Sequence, residues 1–166
     1  MSSSPDAFRA VMRRWPSGVT VITVPSPEGP HGMTASAFTS VSIDPPLILV
    51  VVDARWRSHA LIHEAGVFCV NLLAEDQSEW SDRFAGRRPE LDDRFEGLAL
   101  SRAETGAPCL DDARGWLDCR LEAAHAAGDH TIFVGRVLAT HVSARPTGPL
   151  VYHDGAYGRL DDEAPR

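Results

Sequence analysis

Apolar positions along the chain change their spacing repeatedly, and each change marks an element. Phe8, Val11, Met12 and Trp15 recur at helical spacing behind Asp6, which predicts a short amphipathic helix capped by Asp6 and stopped by Pro16 and Gly18. Residues 18–24 are an alternating, β-branched run and predict a strand. A Pro- and Gly-rich turn over 25–30 leads to a second predicted strand over 32–41, rich in small and hydroxyl residues. Asp44-Pro-Pro46 breaks the chain, and the continuous apolar run Leu47–Val52 predicts a strand buried on both faces. Ser58 opens a helical stretch with Leu61, Ile62 and Ala65 on one face, and Gly66 ends it.

Residues 67–72 read as another buried strand, and residues 76–84 as a helix. The charged stretch 86–97 reads as a loop, in front of short strands near 98–102, 116–126, 131–141 and 150–153 and a tail over 155–160. Strands outnumber helices and no β–α alternation is sustained. That pattern predicts one mainly β domain, an antiparallel barrel or sandwich with a few peripheral helices.

Composition changes this picture mostly by exclusion. A chain of 166 residues with a formal charge of −7 lacks the positive field that non-specific binding to nucleic acid or an anionic membrane needs. All 16 basic residues are arginine. Three cysteines, Cys69, Cys109 and Cys119, are an odd number without regular spacing, which argues against a secreted disulfide framework. The start, Met1-Ser-Ser-Ser-Pro-Asp6, has neither the basic nor the apolar region of a signal peptide, and no apolar run is long enough to span a bilayer. A cytoplasmic protein is expected.

Three segments offer chemistry. Thr34, Ser36, Thr39, Ser40 and Ser42 crowd one predicted strand, where small side chains leave backbone groups approachable. Such a strand suits a flat ligand with a polar edge, and equally the wet face of an ordinary sheet. Asp53-Ala-Arg-Trp-Arg-Ser58 follows a buried strand and enters a helix, so it reads either as a phosphate site or as a helix start with solvated arginines. Gly128-Asp-His130 places an imidazole at the head of a strand, where it can orient a substrate or be held by Asp129. Cys69 and Cys119 alternate with apolar neighbours and read as core. The pairs Asp92-Asp93, Asp111-Asp112 and Asp161-Asp162 read as solvated. Neither a metal-ligand spacing nor a nucleophile motif is present, so any catalysis is expected to rest on an organic cofactor.

Taken in order, these segments resemble the flavin reductase family, the short-chain NAD(P)H:flavin oxidoreductases that supply two-component monooxygenases. The resemblance runs over about residues 7–160 and is carried by Trp15-Pro-Ser-Gly-Val-Thr-Val-Ile-Thr23, Gly32-Met-Thr-Ala-Ser-Ala-Phe-Thr-Ser-Val-Ser42, Asp44-Pro-Pro-Leu47, Gly66-Val-Phe-Cys-Val-Asn-Leu72, Arg83-Phe-Ala85, Gly128-Asp-His130 and Tyr157-Gly-Arg-Leu160. It implies an FMN-binding split β-barrel, a Greek-key antiparallel barrel that is usually homodimeric, with flavin at the subunit interface. It further implies FAD or FMN as flavin, NADH with NADPH as the alternative reductant, and a flavin-dependent monooxygenase as the partner reached by diffusible reduced flavin. Thr34, Ala35 and Ser36 would meet the isoalloxazine edge, and Ser40, Val41 and Ser42 the ring and ribityl chain. Asp53, Ala54, Arg55 and Ser58 would serve the phosphate end. His130 would stand where the nicotinamide enters, with Tyr157 and Arg159 in the same cleft and the 86–97 loop as its cover. One departure is Trp56, in a segment where the family usually has small hydroxyl residues; its indole offers a face to an adenine, which favours FAD. An electron carrier or a pyridoxamine-phosphate-type oxidase on the same barrel is the alternative.

Overall fold

The computed structural model describes residues 4–160, so the opening residues 1–3 and the Asp161-Asp162 pair lie outside the described residues. Helix α1 (Pro5–Met12) is followed by β1 (Ser17–Gly18), β2 (Thr20–Val24), β3 (His31–Ala35), β4 (Phe38–Ser42) and β5 (Leu47–Asp53). Helix α2 (Arg57–Ala65), β6 (Val67–Leu72) and α3 (Ser78–Phe84) come next. The second half is β7 (Leu100–Arg102), β8 (Pro108–Leu110), the long hairpin β9 (Gly115–Ala127) and β10 (His130–Val142), then β11 (Val151–His153) and β12 (Ala156–Gly158). The predicted mainly β class is what forms.

Seven strands make one antiparallel sheet in the order β3-β2-β6-β9-β10-β5-β4. Its first and last strands, β3 and β4, are neighbours in the chain, joined only by Ser36 and Ala37. The sheet therefore curls back on itself, yet β3 and β4 do not pair, and the barrel stays open along that seam. Strands β1, β11 and β12 form a small sheet and β7–β8 a hairpin.

Two apolar clusters fill the interior. Ile22, Val50, Val52, Ile62, Phe68 and Phe133 pack between the curled sheet and α2. Val21, Leu73, Phe84, Phe95, Leu110 and Leu150 pack under α3 and the loop that follows it. Gly32 is a requirement of the second cluster: a Cβ on it would stand 2.7 Å from the Phe84 ring, so only glycine lets that ring lie against β3.

The structure departs from the sequence expectations at several places, each with a local cause. Ser4, and not Asp6, caps α1: its hydroxyl accepts from the amide of Ala7, while Asp6 sits inside the first turn and pairs with Arg9. The single strand expected over 32–41 is two strands, because Ser36 and Ala37 turn the chain from one sheet edge to the other. Helix α3 begins at Ser78, since Gln77 uses its side chain to bond Ala74 and Asp112. Strand β5 is buried on one face only, with Leu47, Leu49 and Val51 half-covered outside. Strands β8 and β12 were not expected; both are three residues long and fall in segments that read as loop and tail. Gly66 ends α2 in the left-handed conformation, as its position predicts. All three cysteines are buried and free, and burial pushes the Cys119 thiol up to about 12.

Candidate active site

The open seam sets the site. Because β3 and β4 are the two edges of the sheet, alternate backbone N–H and C=O groups along residues 31–35 and 38–42 have no strand to pair with. The segment read as a platform for a flat, polar-edged ligand lies along both edges. Thr34 spends its hydroxyl on the carbonyl of Ser81, 2.6 Å away, and the carbonyl of Ala35 accepts from Thr20 at 2.7 Å, so these two residues offer main chain more than side chain. Ser36, exposed at the turn between the edges, has no hydrogen bond to its hydroxyl among the described residues. On β4 the pairing with β5 slips between Ser40 and Ser42, and the intervening Val41 stands out of the ladder, half exposed.

A cleft of about 990 Å³ opens beside β3, floored by Gly32, Met33 and Thr34 and walled by the start of α2 and by the 86–97 loop. This volume is at the upper end of those that hold small organic ligands. The loop is no free surface segment. Phe95 is buried with its ring 4.9 Å from that of Phe84, and Asp93 accepts the Phe95 amide, so the loop is pinned over the cleft. Ser58 is buried at the opposite wall with its hydroxyl 2.8 Å from Nε2 of His31. Burial, helped by the nearby positive charges of Arg57 and Arg94, lowers the pKa of His31, so the imidazole is neutral at pH 7 and can share a proton with Ser58 in either direction.

Asp53, Ala54, Arg55 and His130 make a separate group at the far end of β5. Asp53 and His130 face each other across the β5–β10 ladder, and Ala54 donates its amide to the carbonyl of Asp129. The Arg55 guanidinium grips both oxygens of Asp53, the closer at 2.6 Å, and holds that carboxyl well below the usual range. Nδ1 of His130 is 2.6 Å from Asp129, whose own pKa is lowered by that bond. The imidazole is 41% exposed and does not line the large cleft. Tyr157 lines a smaller cavity of about 200 Å³ together with Thr34, Ala35 and Ser36, and its hydroxyl bonds Asp82 at 2.7 Å and Ser81 at 2.9 Å. Burial raises the Tyr157 pKa, which keeps the phenol protonated. Arg159 reaches toward Glu75, 3.7 Å away, outside both cavities.

Comparison with known families matches residues 12–161 to the flavin reductase like domain. The chain belongs to that family. A reductase subunit of a flavin-dependent monooxygenase from Rhodococcus jostii is 35% identical over 96% of this chain and 80% of its own. An FMN reductase (NADH) of Agrobacterium fabrum is 40% identical over 93% of this chain and 85% of its own. Among solved structures, the NADH:FAD oxidoreductase of Streptomyces globisporus in complex with NAD and FAD fragments superposes with a TM-score of 0.88 at 31% identity, over 99% of both chains.

Within this flavin reductase domain, the sequence-derived residues thus fall in two places. Thr34, Ala35, Ser36, Ser58 and Tyr157 are gathered around β3, whereas Asp53, Ala54, Arg55 and His130 share the end of β5 and Ser40–Ser42 the other sheet edge. His31, Met33, Arg94 and Phe95 were missed as lining residues. His31 had one signal, a histidine opening a strand directly before a glycine. Arg94 and Phe95 had none, because only the fold of the loop brings them to the cleft.

Proposed function

We propose that this chain is an NADH-dependent flavin reductase that transfers hydride to FAD or FMN and releases the reduced flavin to a flavin-dependent monooxygenase. The observation that carries this reading is the seam between β3 and β4, whose free backbone edges lie along the segment that also carries the family likeness. A flavin fits those edges: its ring system is flat, with hydrogen-bonding groups on one rim, and the seam offers small side chains and unpaired main-chain groups. When bound, the flavin supplies the hydride acceptor, taking two electrons from the nicotinamide C4 carbon.

The chain's own residues bind and orient. Main-chain groups at Thr34–Ser36 hold the ring rim, and N–H groups aimed there favour the negative charge that develops on reduction. Ser58, set by neutral His31, donates toward the phosphate end. Phe84 and Phe95 exclude water from the floor of the cleft. Anaerobic stopped-flow absorbance with NADH is the direct test: the flavin band near 450 nm (roughly, a property of flavins) is expected to bleach with FAD, FMN or both. A band that persists with both flavins and with NADPH too would leave a flavin-binding barrel of another function.

The homodimer belongs to the same proposal. No residue of α1 is buried, and Phe8 and Trp15 are 60% and 70% exposed. Ile43, beside the free edge of β4, is 95% exposed, and the outer face of β5 carries Leu47, Leu49 and Val51 half-covered. Apolar surface of that extent is what a second copy would cover. Sedimentation is expected to return twice the 18.0 kDa of one chain; a fully active monomer would contradict it.

A further inference from the structure

The outer end of the large cleft carries side chains for which hydride transfer has no use. Trp56 stands at its lip with the side chain 62% exposed, bound to nothing in the core. Arg94 faces the same space from the 86–97 loop and has no carboxylate partner among the described residues. Arg57 faces it from the first turn of α2, its guanidinium 2.5 Å from Glu28 at the surface. Both arginines lie close enough to His31 to disfavour its protonation, so the two guanidiniums sit at one end of the cleft. Of the other acids there, Asp93 is engaged by the Phe95 amide and Asp92 is exposed. A flat π-face beside two cations is the arrangement that receives a stacked base and the phosphates attached to it.

We propose that Trp56, Arg57 and Arg94 receive the ADP half of a dinucleotide, so that this end of the cleft distinguishes dinucleotides from mononucleotides. The proposal rests on the flavin reductase reading for the identity of the ligands. Two reactants carry an ADP half, FAD and NADH, and each has a counterpart without it, FMN and reduced nicotinamide mononucleotide. Stacking on Trp56 supplies the base contact, and the two arginines neutralise the diphosphate.

The test compares wild type with Trp56→Ala, Trp56→Phe and Arg94→Gln. Apparent KM values are measured for FAD against FMN at saturating NADH, and for NADH against reduced nicotinamide mononucleotide at saturating FMN. Calorimetric titration with ADP alone is run in parallel. Trp56→Ala is expected to raise one dinucleotide-to-mononucleotide KM ratio at least about fivefold, the low end for one base stacked on one ring. Trp56→Phe is expected to keep most of the discrimination, and Arg94→Gln to shift the same ratio, more so at low salt. A shift in the flavin ratio assigns the site to FAD; a shift in the nicotinamide ratio assigns it to NADH. ADP is expected to bind wild type and to lose affinity to the same extent in Trp56→Ala. Unchanged ratios, or ADP affinity indifferent to Trp56, would overturn the proposal. Failure of wild type to reduce FMN would instead remove the reductase reading, and the ADP titration would then decide on its own. Trp56 is exposed, and a thermal melt confirms that each variant is folded.

Discussion

A His130→Ala variant is expected to lose up to about a hundredfold in kcat/KM for NADH, the scale of a misplaced reactant, with flavin affinity held. Nδ1 of His130 is tied to Asp129, so in the neutral ring the proton sits there and Nε2 is left as an acceptor. Nε2 has no partner among the described residues, and the ring is partly open to solvent. An acceptor at that position can take the carboxamide N–H of a nicotinamide and set the ring's orientation. It does not need to move a proton, since hydride transfer requires no protein base. Asparagine at position 130 keeps an acceptor and is expected to recover part of the loss, while Asp129→Asn weakens the tautomer preference and gives a smaller decrease. Steady-state kinetics in NADH and flavin fluorescence titrations separate the outcomes. An unchanged kcat/KM would remove His130 from the nicotinamide site, and a parallel loss of flavin affinity would assign it to the flavin.

Asn71→Ala is expected to destabilise the fold by about 3 to 5 kcal/mol, a large share of the 5–15 kcal/mol that roughly spans ordinary domains. Asn71 lies on β6 and is fully buried. Its amide nitrogen donates to the carbonyl of Val21 at 2.9 Å and to the hydroxyl of Thr23 at 3.0 Å, and its oxygen accepts the amide of Leu110 at 2.8 Å. Thr23 passes the connection on to the carbonyl of Pro108. One side chain therefore stitches β8, which has no place in the large sheet, onto β2 and β6. Removing it leaves a buried Leu110 N–H without its acceptor and a cavity between the strands. Urea unfolding should show a lower midpoint at unchanged slope. A loss below about 1 kcal/mol would mean that water replaces the amide.

The unequal legibility of this chain follows from where each signal resides. Strand β2, helix α2 with its Gly66 stop, and β6 were readable because local pattern and tertiary role agree there. The break at Ser36-Ala37 was not, because nothing in two small residues reports that they cross from one edge of a sheet to the other. Asn71 gave no hint of its role, since a lone asparagine in an apolar strand has no periodicity to read. At the site, residues 34–36 could be found through their composition, and Tyr157 through its likeness to the family. Arg94 could not, because its position depends on Phe95 burying itself against Phe84. The Asp53–His130 pairing required the register of β5 on β10, which a single sequence does not encode in any local pattern.

The two-residue join between β3 and β4 has a kinetic meaning. Strands β3 and β4 are close in the chain, yet each is fixed only through its own neighbour, β2 on one side and β5 on the other, and those are linked through β6, β9 and β10. The walls of the seam therefore reach their final separation only when every intervening pairing has formed, which makes it one of the last features to appear during folding. Ligand binding there adds its free energy to the completed sheet alone, by mass action. Flavin retention is thus a reporter of how fully the whole sheet has assembled: a variant weakened far from the seam, at β8 for example, should shed flavin before it loses its secondary structure.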